Sequence, residues 1–300
     1  MGRETLLTLL LLLFGGLATQ PLALLPQRKR AEQAPRIDER LAWRRLWLPV
    51  VPTLVVGAWL CGWALREPDP VRDHLDRGIL VAACLPFAVI AIRALLRLVW
   101  SSVHEPADTL ICTIGFLHPR ILFSPRLARS LDEEQMRAAW EHERAHARHR
   151  DPLRIWLAQI ATDLQWPWPW AHERFEHWLE VLECTRDEEA RRSGASGVDL
   201  AAAVLATVRQ SSSASLARRG GGQTGQAAEA GLIGDPRALQ RRIARLLAPL
   251  PEHGDALSRI PTGSKTLITV LIGMLVAACA LGAIHGESVL HPLLAWTWAL

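Results

Sequence analysis

Apolar residues in this chain gather into long blocks rather than alternating with polar ones. Residues 46–65 and 266–284 contain no charged side chain, and each is close to the ~20 residues that a helix needs to cross the hydrocarbon core of a bilayer. Residues 5–25 are interrupted chiefly by Gln20 and Pro21, and the only charges in residues 78–100 are Arg93 and Arg97. The four blocks predict about four transmembrane helices, at 5–25, 46–65, 78–100 and 266–284. Arg93 and Arg97 lie one turn apart, so both stems can run along the helix and place their guanidinium groups at the interface.

The stretch between the third and fourth blocks has a different texture and is long enough for one compact domain. "TLICTIGFLHPRILFSP", broken at Gly115 and Pro119, predicts a small strand pair or irregular extended structure. Ser130 followed by Glu133 forms a capping-box pattern, and the run to Arg150 lacks Gly and Pro, which predicts one helix over 131–150. Asp151-Pro152 stops that helix and starts the next, to about Leu164, with Asp151 as its cap. After the helix-breaking "WPWPW" come a charged helix over 172–192 and an alanine-rich one over 198–208. Residues 210–234 collapse into Ser, Ala, Gly, Gln and Arg, the composition of a flexible loop. Asp235-Pro236 opens a basic amphipathic helix with Leu239, Ile243, Leu246 and Leu247 on one face. That face suits packing on the domain better than on a membrane surface.

Charge adds an orientation. Arg28, Lys29, Arg30, Arg36, Arg40, Arg44 and Arg45 make the loop 26–45 strongly basic, and basic loops stay on the cytoplasmic side. Alternation then puts residues 101–265 inside and the tail after residue 284 outside. A secretory signal is the rival reading of the first block, but the positive charge follows that run, the reverse of a signal peptide's bias. The net charge of +4 is mostly accounted for by the inner loops, which could touch lipid headgroups, and no direct nucleic-acid partner is indicated. Five cysteines, three of them in the apolar blocks, imply no disulfide framework.

The chemistry is concentrated in "AAWEHERAHARHRDPL", where His142-Glu143-Arg144-Ala145-His146 spells HExxH. Histidines four apart on a helix share a face and can present their ring nitrogens to one ion, with Glu143 beside them. The pattern suits zinc, with Glu143 off the metal as general base toward water. A catalytic zinc needs a third protein ligand. Glu183, in "LECTRDEEA", is the candidate, because Asp187 follows one turn later and could accept a proton from the far nitrogen of a ligand histidine. Glu176, Glu180 and Glu188 compete for that role. The chain has no tyrosine, which leaves the ion, a histidine, an arginine or a backbone donor to stabilise an oxyanion. His149, His172 and His177 are the candidate histidines.

Taken in order, "GFLHPRILFSPRLARSLDEEQMRAAWEHERAHARHRDPL", "WPWPW" and "LECTRDEEA" resemble the BlaR/MecR family of membrane-bound antirepressor metallopeptidases, over roughly residues 110–192. The resemblance implies a mainly α, polytopic protein of a bacterial-type plasma membrane. Three membrane helices would occupy residues 1–100, a cytoplasmic gluzincin-like zinc domain 101–265, and a fourth helix and short outer tail 266–300. It implies Zn2+ held by His142, His146 and Glu183, with Glu143 as base and Asp187 behind a ligand. It also implies cleavage of a cytoplasmic protein such as a transcriptional repressor, with self-cleavage a further option. Members of the family carry a large penicillin-binding sensor after the last membrane helix, whereas only a short tail follows residue 284 here. Sensing would then fall to the helices, the outer loop or a separate sensor protein. A prenyl-peptide or quality-control membrane metalloprotease, which also joins HExxH to ExxxD, is the nearest enzymatic alternative. A non-catalytic adaptor with a vestigial metal site is the alternative from another class.

Overall fold

A computed structural model describes residues 20–23, 35–66, 77–103, 111–166, 168–217, 236–250, 270 and 272–284. The described chain is mainly helical: α1 (Pro35–Trp47), α2 (Val51–Arg66) and α3 (Arg77–Val103) precede a hairpin of β1 (Ile111–Ile114) and β2 (Arg120–Phe123). Then come α4 (Glu133–His149), α5 (Asp151–Asp163), α6 (Trp170–Arg192), α7 (Gly197–Ala217) and α8 (Pro236–Leu247). Two compact units divide the chain.

The expectation of a polytopic membrane protein is overturned. Among the described residues no helix is long and apolar enough to cross a membrane. Pro49 sits in a 3-10 turn, Leu48–Val50, at the head of the second apolar block, and this leaves α2 with 16 residues. At 1.5 Å per residue that is about 24 Å, short of the ~30 Å of a hydrocarbon core. In α3 the two arginines are turned toward one carboxylate. Arg97 reaches Asp163 at 2.6 Å and Arg93 approaches the same carboxylate at 3.8 Å, while the Trp156 indole donates to the Ala94 carbonyl at 3.0 Å. The end of α3 is thus tied to α5 by polar contacts. The first apolar block lies mostly outside the described residues, as does part of the fourth.

One unit holds α2, the first part of α3 and the helical residues 272–284. There two helices meet at backbone distance. A Cβ on Gly62 would fall 1.9 Å from the Cys279 carbonyl oxygen, and one on Gly282 2.0 Å from that of Trp59. Only glycine permits so close an approach at both points.

The other unit holds residues 35–44 and the segment from Arg93 through α8. Alanines at the helix crossings, including Ala138, Ala190 and Ala201, let α4, α6 and α7 approach closely around Leu200 and Leu246. Trp178 and Leu182 on α6 are fully buried. The Arg154 guanidinium lies over the rings of both Trp43 and Trp178, 5.2 and 5.6 Å from their centroids, which fixes α1 against α5 and α6.

The hairpin appears where the sequence suggests, with Ile111 opposite Phe123 and Thr113 opposite Ile121. The cap of α4 is displaced by two residues. Asp132 accepts from the Gln135 backbone at 2.8 Å and Gln135 answers in a capping box, whereas the Ser130 hydroxyl donates to the Leu127 carbonyl and closes the turn before it. Arg150, at φ 52° and ψ 45°, is the junction between α4 and α5. A non-glycine residue in this left-handed region costs about 1–2 kcal/mol, and here it reverses the chain without a linker. Asp151 is therefore the first residue of α5 and not its cap, as the sequence suggested. Helix α7 runs on past Gln210 to Ala217, so the start of the expected loop is helical and its remainder, 218–234, lies outside the described residues.

Candidate metal centre

Helix α4 places His142 and His146 on one buried face, their rings at 72° with centroids 4.7 Å apart. Their Nε2 atoms are 3.0 Å from each other. Helix α6 runs alongside and brings Glu183 to both: Oε2 is 3.4 Å from His142 Nε2, and Oε1 is 3.5 Å from His146 Nε2. These three residues could hold a metal ion. Ligands at ~2.0–2.1 Å around a tetrahedral ion stand about 3.3–3.4 Å apart, close to the spacing found. Two imidazoles and one carboxylate form a donor set that suits zinc and its first-row neighbours better than calcium or magnesium, which prefer all-oxygen shells.

Each histidine has its far nitrogen against a buried carboxylate. His142 Nδ1 lies 2.9 Å from Asp187 Oδ1. His146 Nδ1 lies 2.9 Å from Asp151 Oδ2. Both acids are in turn gripped by arginines. Asp151, wholly buried, accepts a fork from Arg186 and a further bond from Arg154 at 3.0 Å. Asp187 accepts a fork from Arg242 of α8, at 2.7 and 2.8 Å. Arg242 Nη1 also stands 3.0 Å from Glu183 Oε2. Behind Asp151, Glu39 of α1 pairs with Arg154 and approaches Arg186 at 3.7 Å, so the support extends to the start of the unit.

This arrangement sets the charges. Burial alone would neutralise the carboxyls of Asp151, Glu183 and Asp187, but the facing arginines and imidazoles hold all three below the usual carboxylate range. Burial opposes charge on His142, yet Asp187 and Glu183 outweigh it and raise its pKa to about 10. An ordinary histidine is neutral by about pH 8, and a metal takes only the neutral imidazole. Metal uptake at about pH 8 is therefore expected to release about one proton from this ring. Calorimetric titrations in buffers of different ionisation enthalpy would count it, and Asp187→Asn should reduce the release. Release near zero in the wild-type chain would contradict the proposed charge state.

The remaining candidates from the sequence lie elsewhere. Glu180 pairs with Arg241 at 3.3 Å on a more exposed face. Glu176 is exposed and meets His172, and Glu188 is tied to Arg192. His149 pairs with Glu189 at 2.9 Å, while His172 and His177 are exposed. Glu143 is bonded to the hairpin: the Thr113 hydroxyl lies 2.7 Å from Glu143 Oε2 and 3.0 Å from its carbonyl oxygen.

Sequence reasoning missed Asp151 as a histidine partner, together with Arg186, Arg242 and Thr113. One signal was available: Arg242 falls within the apolar stripe of α8, three residues after Leu239 and four before Leu246. A charge in such a stripe calls for a buried partner.

A scan of protein-family models, a search of curated proteins and a search of solved structures found no match to this chain.

Proposed function

We propose that the chain is a zinc-dependent endopeptidase of the HExxH type, acting on a protein substrate. The observation that carries this reading is the convergence of His142, His146 and Glu183 from two helices at mutual distances of 3.0–3.5 Å. Among the described residues three such side chains meet, and three protein ligands are the complement of a catalytic zinc, which keeps a position open for water or substrate. His142, His146 and Glu183 would hold the ion, which when bound supplies Lewis acidity at the scissile carbonyl.

The protein's own residues do the rest. Glu143, adjacent in sequence to one ligand and itself outside the ligand group, takes a proton from the attacking water and returns it to the departing amine. Asp151 and Asp187 fix the ring orientation of His146 and His142 and raise their basicity as donors. Arg242 and Arg186 keep those acids ionised and in place. The motif order that resembles BlaR/MecR peptidases supports a regulatory protein, such as a repressor, as the substrate.

Metal removal tests the activity directly. Purified chain loaded with zinc is expected to cleave an unfolded protein such as casein, to lose that activity on chelation, and to regain it when zinc is restored. Hydrolysis that persists without metal would refute the proposal.

A further inference from the structure

We propose that Thr113 positions the general base Glu143, so that the carboxylate is referenced to the β-hairpin rather than to its own helix alone. This rests on the peptidase reading above and assigns a role to a residue outside the metal ligands and their carboxylate partners.

The geometry is specific. Thr113 lies in the middle of β1, opposite Ile121 of β2, and its hydroxyl lies 2.7 Å from Glu143 Oε2. A carboxylate only accepts, so the threonine is the donor. The Glu143 carbonyl oxygen, at 3.0 Å, is the competing acceptor for the same proton. Both acceptors belong to one residue, so either bond ties β1 to the base. The shorter one goes to the side chain and leaves Oε1 for water.

The hairpin is itself anchored on both sides of this contact. Phe123 of β2 stacks on Trp140 of α4, with centroids 5.2 Å apart and planes at 21°. Phe116, in the turn after β1, meets Trp156 of α5 at 5.8 Å. Cys112, beside Thr113, is buried. Ring contacts to two helices and a buried neighbour leave the strand little freedom, and a fixed donor removes rotamer freedom from a flexible glutamate. A base held within hydrogen-bond reach of its water transfers a proton more often than one that samples other rotamers.

Kinetics of casein hydrolysis by the zinc-loaded full-length chain test the assignment, with zinc content measured for every variant. Thr113→Val keeps the strand-forming shape and removes the hydroxyl, Thr113→Ala removes it with less bulk, and Thr113→Ser keeps it. The valine and alanine variants are expected to retain zinc and KM while kcat falls about tenfold, a part of the whole contribution of a general base. The serine variant should stay close to wild type. Unchanged kcat in both hydroxyl-free variants would overturn the proposal, as would loss of zinc in both, which would make Thr113 merely structural. A serine variant as slow as the valine variant would assign the effect to the lost methyl and also overturn it. If the wild-type chain shows no hydrolysis that Glu143→Gln removes, the peptidase reading fails first and this inference falls with it.

Discussion

Glu143→Gln is expected to retain bound zinc and lose peptide hydrolysis by on the order of 10²–10⁴-fold, the contribution of general acid–base catalysis. The separation of the two effects follows from the site. The side chains that could hold the ion are His142, His146 and Glu183, and Glu143 is outside that group, bonded to Thr113. The amide is nearly isosteric and can still meet the Thr113 hydroxyl through its own oxygen, so the fold has no reason to change. What disappears is an atom that can accept the proton of water. Parallel zinc analysis and casein turnover would check the result. A variant that turns over as fast as wild type would remove the catalytic role and leave a metal site without chemistry at Glu143.

Asp151→Ala is expected to have the second large effect, on stability as well as on metal binding. Arg186 is only 2% exposed and gives Asp151 a two-bond fork. Removing one partner of a buried pair leaves an uncompensated charge, at a cost of about 3–5 kcal/mol. Glu39, 3.7 Å from Arg186, offsets part of this and favours the lower end. Denaturant unfolding of metal-free protein would measure the loss, and one below about 1 kcal/mol would show that Glu39 and Glu189, each 3.7 Å from the guanidinium, suffice for Arg186. Zinc affinity should also drop by roughly 10–100-fold, because His146 loses the acid that orients it.

The acid side supplies a sign for the same pair. The folded-state pKa of Asp151 is depressed by Arg186 and His146 against the opposing effect of burial. Its contribution is then complete above the ordinary carboxylate pKa of about 4 and is lost as pH falls toward the folded value. The stability gap between wild type and Asp151→Ala should therefore narrow below about pH 4.

The local part of this site was legible in the sequence. His142 and His146, and Glu183 and Asp187, are pairs one helical turn apart, and helical spacing alone puts each pair on one face. Glu183 and Glu180 could be ranked because the residue four positions on is an acid, Asp187, for the former and Cys184 for the latter. The partners that Asp151, Arg242 and Thr113 meet were hidden, although the position of Arg242 in an apolar stripe marks it as needing one. Each depends on a tertiary event: the reversal at Arg150, the docking of α8 on α6, and the seating of the hairpin on α4. The cap of α4 was misread by two residues because Ser130 and Asp132 are both good caps, and the former is used in the preceding turn. The membrane expectation failed for a related reason. Apolar length was counted along the sequence, whereas Pro49 ends one element before α2 begins, and Arg93 and Arg97 belong to an ion pair with Asp163.

Whether His142, His146 and Glu183 hold one zinc ion is decided by the zinc content of purified chain, read by elemental analysis. About one zinc per chain is expected in the wild type, with near-complete loss in Glu183→Ala, where a ligand is removed outright, and retention in Glu180→Ala, whose native carboxylate pairs with Arg241. Zinc that survives Glu183→Ala but leaves with Glu180→Ala would contradict that assignment.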